Sequence, residues 1–109
     1  MIAEPTNTFV EYELENGEKV KMTLAYYRLY QLKTKNKDIY DRYNRIVTKG
    51  FTEELDGVTV AYTAYLCANL DNPEPYSEID FMILLGGDRI KLGETVKQLM
   101  GKNEKHRIP

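Results

Sequence analysis

Between Gly57 and Leu70 the chain carries no charged residue, and the apolar positions of this run leave little of its circumference for water. At helical spacing Leu55, Val58, Tyr62, Tyr65 and Leu66 share one face, Ala61, Ala64 and Ala68 a second, and Val60, Cys67 and Leu70 a third. A helix apolar nearly all round is either a membrane span or the centre of a folded domain. Residues 57–70 fall short of the ~18 a span requires, so a core helix is expected, with the other segments packed around it. Thr52 stands as its N-cap, Glu53 and Glu54 suit the positive end of the helix dipole, and Asp71-Asn72-Pro73 closes it.

A chain of 109 residues suits one domain that buries roughly two-thirds of its unfolded surface without help from a metal or a disulfide. Cys67 is the only cysteine, and residues 1–5 have neither the basic start nor the apolar run of a secretion signal, so a reducing, intracellular setting is expected. The net charge of −2 is distributed in blocks: −5 over residues 1–18, +7 over 19–49, −8 over 50–88 and +4 over 89–109. Either neighbouring elements pair opposite charges within one fold, or complementary patches meet between subunits.

From Phe9 the pattern alternates with period two, VEYELENGEKVKM, which reads as two strands around Asn16-Gly17. A two-residue turn would place Leu14 opposite Lys19 and Tyr12 opposite Lys21, mixing apolar and basic side chains on one face. A three-residue loop, Glu15-Asn16-Gly17 with Gly17 in the left-handed region, instead pairs Tyr12 with Val20, Val10 with Met22, Glu13 with Lys19 and Glu11 with Lys21. That register gives one apolar face and one ladder of opposite charges, and it is the one expected.

Thr23 is placed to cap a helix over LAYYRLYQLKTK in which Ala25, Leu29 and Leu32 share a face, with Tyr26 and Tyr30 flanking it and an end near Asn36. A second helix, about Lys37 to Lys49, should bury Ile39, Tyr43, Ile46 and Val47 and stop at Gly50. After the core helix, Pro73 and Pro75 make a rigid loop. Ser77 with Asp80 then resembles a capping box, and Tyr76 with Phe81 a hydrophobic staple, for a short helix ending at Gly86-Gly87. Asp88 caps the last helix, in which Leu92, Val96, Leu99 and Met100 share a face and Gly101 marks the end. The fold class expected is therefore α+β, mostly α: an N-terminal β-hairpin followed by about five helices around a central buried helix. Residues 9–100 form the domain, with flexible ends at 1–8 and 101–109.

Catalytic material is sparse. His106 is the only histidine and lies in the tail, Ser77 is the only serine and has a capping role, and Cys67 sits among apolar residues that would raise its pKa. Leu85-Gly86-Gly87-Asp88 lacks the Gly-Lys-Ser/Thr ending of a phosphate loop, and Asp71, Glu74, Glu78 and Asp80 fit no calcium-loop spacing. No catalytic residue, cofactor or metal site is expected. The basic block, Arg28, Lys33, Lys35, Lys37, Arg42, Arg45 and Lys49 interleaved with Tyr26, Tyr27, Tyr30, Tyr40 and Tyr43, has the composition of a single-stranded nucleic-acid binder. Against that, Asp38 and Asp41 precede Arg42 and Arg45 by four residues, the order for intrahelical pairs, and a pI near 5.4 repels a polyanion. Nine tyrosines against three phenylalanines and no tryptophan favour surfaces that are wet alone and buried in a complex.

In the stretches YELENGEKVKMTLAYYRLYQLKTKNKDIYDRYNRI, FTEELDGVTVAYTAYLCANL and GETVKQLM the chain resembles the tail assembly chaperones of long-tailed phages and prophages of Gram-positive bacteria. The likeness lies in the order and wording of whole segments over roughly residues 9–100. It implies a non-enzymatic protein of the host bacterial cytoplasm, absent from the mature virion. Such a protein self-associates and keeps the tape measure protein soluble while the tail tube polymerises around it. In the wider family a longer frameshifted form recruits the major tail tube protein. The client surface expected here combines Tyr26, Tyr27 and Tyr30 with Arg28 and Lys33, unless two of the rings cover the apolar face of the hairpin. The competing classes are the single-stranded nucleic-acid binder and a structural component of the tail.

Overall fold

Face parity fixes the first element. In the computed structural model, which describes residues 2–4 and 8–104 (with the side chains of 102–104 left aside), strands β1 (Val10–Glu13) and β2 (Lys19–Met22) pair antiparallel. The register is Val10 with Met22, Glu11 with Lys21, Tyr12 with Val20 and Glu13 with Lys19. The Leu14 amide donates to Glu18 O and the Gly17 amide to Leu14 O, at 2.8 and 2.9 Å, and Gly17 takes φ +88°, so the three-residue loop is the one formed. Val10, Tyr12, Val20 and Met22 are buried, while the charged ladder faces solvent. Lys91 from the last helix lays its ammonium 4.3 Å over the Tyr12 ring and donates to Glu13 O, which ties the hairpin to the far end of the chain.

Five helices follow: α1 (Tyr26–Lys35), α2 (Lys37–Lys49), α3 (Leu55–Ala68), α4 (Glu78–Leu85) and α5 (Arg89–Glu104). The architecture is α+β and mostly α. Among the described residues no helix is long and apolar enough to cross a membrane. The centre is α3, whose residues from Thr59 to Cys67 are all buried. It packs against β2, α1, α2, α4 and α5. The Thr23 amide donates to Ala64 O at 3.1 Å, stitching the end of β2 onto α3.

The capping expectations divide. Ser77 Oγ accepts from the Asp80 amide and Asp88 Oδ1 from the Lys91 amide, as expected for the starts of α4 and α5. Thr23, by contrast, accepts from the Ala25 amide two residues on, forming a local turn, and α1 begins only at Tyr26. Thr52 does not cap α3 either. The Asp56 carboxylate reaches back to accept the amides of Thr52 and Glu53 and the Thr52 hydroxyl, and these donors hold its pKa below the usual carboxylate range. At the other ends, Gly50 and Gly86 stop their helices with φ of +90° and +74°. Gly101 keeps helical geometry, so α5 runs through it to Glu104.

Two apolar residues expected in the core lie outside it. Val47 is exposed because Ile39, Tyr43 and Ile46 already fill the seam of α2 against its neighbours. Leu55 is exposed because it opens α3 beyond the elements that cover the rest of that helix. Of the flexible ends, Glu4 is tied to Arg28, and the tail at 105–109 lies outside the described residues.

The tyrosines of α3 explain how the proline loop is held. Phe81 of α4 is fully buried, with its ring 5.3 Å from that of Tyr62 and 4.9 Å from that of Tyr65, and Tyr76 stacks on Tyr65 at 6.0 Å. The expected staple of Tyr76 and Phe81 thus closes through Tyr65. The Tyr62 hydroxyl donates to Tyr76 O, and the Tyr76 amide donates to the Tyr65 hydroxyl, both at 2.9 Å. Rings with polar tips are used here inside the domain, to satisfy backbone next to prolines that bring no amide of their own.

Arg42 does not take Asp38 as its hydrogen-bonding partner. Its guanidinium forks onto Glu78 of α4, at 2.9 and 2.7 Å, and touches Thr59 of α3, while Asp41 pairs with Lys37. A planar fork gains more from a bidentate carboxylate across the fold than from a partner on its own helix. The Arg42 hydrogen bond holds the Glu78 carboxyl below its ordinary pKa, so the pair stabilises the fold above pH 4.5 and loses that contribution as pH falls through the lowered value. Arg42→Met should cost about 1 kcal/mol at neutral pH, discounted because a third of each side chain meets water. The gap between variant and wild type in urea titrations should narrow as pH falls below 4.5 and close once it has passed the lowered value.

Candidate partner-binding site

The site expected from the sequence lies on α1. This helix spends Leu29 and Leu32 on the core, and no acidic residue offsets its first turn. The two positions one turn apart, Tyr26 and Tyr30, and Tyr27 beside them, look outward at 77, 71 and 61 % exposure. None of the three rings covers the apolar face of the hairpin, which is closed instead by the other helices, above all α3. The structure therefore brings the three tyrosines together as an open aromatic face.

It separates the two bases expected beside them. Arg28 and Lys33 fall on opposite edges of the buried stripe. The Arg28 guanidinium donates to the Glu4 carboxylate at 3.0 Å and to Cys67 O at 3.2 Å, and sits 5.3 Å over the Phe9 ring. The Glu4 hydrogen bond raises its pKa further. Lys33 lays its ammonium 5.5 Å over the Tyr40 ring of α2. Arg28 is a structural clamp between the N-terminal segment and α3, and of the two bases it is Lys33, exposed and resting on Tyr40, that borders the tyrosine face.

Exposure also sorts the remaining tyrosines. Tyr12, Tyr43, Tyr62 and Tyr65 are buried, and Tyr40 and Tyr76 partly so. Burial pushes the Tyr43 hydroxyl up to about 12. The tyrosine excess thus has two uses, and composition does not divide them. Within the basic block two of the three arginines, Arg28 and Arg42, are held by carboxylates, and Lys35 donates to Leu70 O. A phosphate backbone would compete with those bonds.

A second surface goes beyond the sequence expectations. Leu55 and Val58 of α3, Met82 and Leu85 of α4 and Leu92 of α5 line a groove of about 240 Å³, edged by Glu54, Gly86, Gly87, Asp88 and Arg89. Its signal in the sequence is the run Ile79-Asp80-Phe81-Met82-Ile83-Leu84-Leu85, too apolar for a helix with one buried side. Among the described residues no group of three or more His, Cys, Asp or Glu side chains is placed to hold a metal ion. Compared with family models, curated proteins and solved structures, the chain matches none.

Proposed function

We propose that the protein is a tail assembly chaperone of a long-tailed phage or prophage, acting without catalysis in the host bacterial cytoplasm and absent from the mature virion. Its client is the tape measure protein, a long helical chain whose apolar stripes would aggregate before the tube encloses them. The observation that carries the reading is the open face of Tyr26, Tyr27 and Tyr30 on α1. Rigid rings with polar tips rest in water without aggregating and bury a large area against a partner at low entropic cost. Many copies along one client need only a modest contact each, because avidity multiplies weak affinities. Self-association would use the charge that the blocks leave exposed once Arg28–Glu4, Arg42–Glu78 and Arg89–Glu54 have paired within the fold, with unlike patches of successive copies facing each other and weakening with salt. A longer frameshifted form would add contact with the tail tube protein.

Co-expression with the tape measure protein tests this. The wild-type chain should keep the client soluble and be recovered with it. The double variant Tyr27→Ser, Tyr30→Ser should lose at least about tenfold in binding with an unchanged melting temperature, since both rings are exposed. Client binding that survives the double variant would remove the tyrosine face from the role, and a collapsed melting temperature would assign the rings to the core.

A further inference from the structure

Helix α4 is apolar on two sides. Phe81 and Leu85 enter the core, whereas Ile79 and Ile83, one turn apart, are 62 and 67 % exposed, with Met82 alongside them. Met82 also lines the groove with Leu55, Val58, Leu85 and Leu92, and Ile90 stands exposed at the start of α5. A monomer gains nothing by leaving so many large aliphatic side chains together in water. The groove, at about 240 Å³, is smaller than the ~300–1,000 Å³ of ordinary small-molecule sites and suits one or two aliphatic side chains. Two isoleucines one turn apart beside such a groove present a ridge that another helix can straddle.

Charge selects the occupant. Of the groove's charged residues, Glu54 holds Arg89, and Asp88 caps α5 by accepting the Lys91 amide. Beyond them, residues 50–88 contain six further acids, Asp80 of α4 among them, and no base. A second copy fits poorly, because the basic helices α1 and α2 already bury Leu29, Leu32, Ile39 and Ile46 and offer no bare aliphatic stripe. We propose that the corner of α3, α4 and α5 docks an amphipathic helix of another protein. Its leucine-type side chains enter the groove, and its lysines or arginines lie over the acidic surroundings. This surface stands on its own geometry and does not depend on the role given to the tyrosine face.

The test uses the full chain and a fluorescent synthetic helix of about five turns, with leucines at i, i+3, i+4 and i+7 and lysines elsewhere. Anisotropy titrations should show saturable binding, weakened at least about tenfold when the lysines become glutamates. Ile79→Ser with Ile83→Ser, and separately Leu55→Ser, should each weaken binding at least about tenfold with unchanged melting curves, because all three side chains are exposed. The Val47→Ser protein, changed at an exposed aliphatic position on α2, should bind the helix as wild type does. No binding, equal binding of the glutamate helix, or indifference to both groove variants would overturn the proposal. So would a change in the sedimentation of the protein alone on mutating the groove, which would make a second copy the occupant.

Discussion

Phe81→Ala is expected to destabilise the domain by about 3–5 kcal/mol and to lower its melting temperature by roughly 15–30 °C. The ring is fully buried between Tyr62 and Tyr65, and it is the largest side chain that α4 contributes to the core. Removing it leaves a cavity whose walls are held in place: Tyr62 is hydrogen-bonded to Tyr76 O, and Tyr65 accepts from the Tyr76 amide. Walls pinned in this way collapse little, which puts the cost toward the upper end of the range. Phe81→Leu should recover more than half of the loss. Thermal melts of the two variants decide the matter, and a loss below about 1 kcal/mol for alanine would mean that α4 is not part of the cooperative unit.

Cys67 should react with thiol reagents at least about a thousandfold more slowly than a free cysteine at the same pH. It has no solvent exposure, and burial in apolar surroundings pushes the thiol up to about 12, with the nearby Arg28 guanidinium opposing this only in part. A thiol that titrates so far above its ordinary range holds only about a thousandth of the usual thiolate at neutral pH, and the helix must open before any reagent arrives. Labelling followed across a urea series should therefore accelerate with the unfolded fraction. Fast labelling without denaturant would place Cys67 at the surface and contradict the central position of α3. Cys67→Ser should cost about 1–3 kcal/mol, less if the hydroxyl bonds the carbonyl one turn back, as Thr63 does to Thr59 O at 2.7 Å.

The parts of the fold legible in the sequence are those decided by local parity. The hairpin register follows from keeping Tyr12 and Val20 on one face, and α2 runs between Asn36 and Gly50 because an amide cap and a left-handed glycine delimit it. What fails depends on how far the neighbours extend. Leu55 and Val47 have the right spacing for a buried stripe, but spacing says nothing about where the covering helix ends. Arg42 has a carboxylate on its own helix and a better one on α4, and only the packed structure chooses between them. The same holds for the site. Composition points to Tyr26, Tyr27 and Tyr30, but their separation from Arg28 is not legible, because Glu4 and Cys67 O reach that arginine from distant parts of the chain.

An eight-residue helix has almost no stability of its own. Helix α4 borrows it from three fastenings: Glu78 on Arg42 at its start, Phe81 in its middle, and Leu84 O receiving the Glu15 amide at its end. The last of these reaches the hairpin loop, where the Glu15 side chain also occupies the space beside Gly86 that a larger residue would need. The isoleucine ridge is therefore hung between the tip of the β-hairpin and the flank of α2. Any force that lifts it is felt at both, and its shape lasts only as long as those two hooks hold.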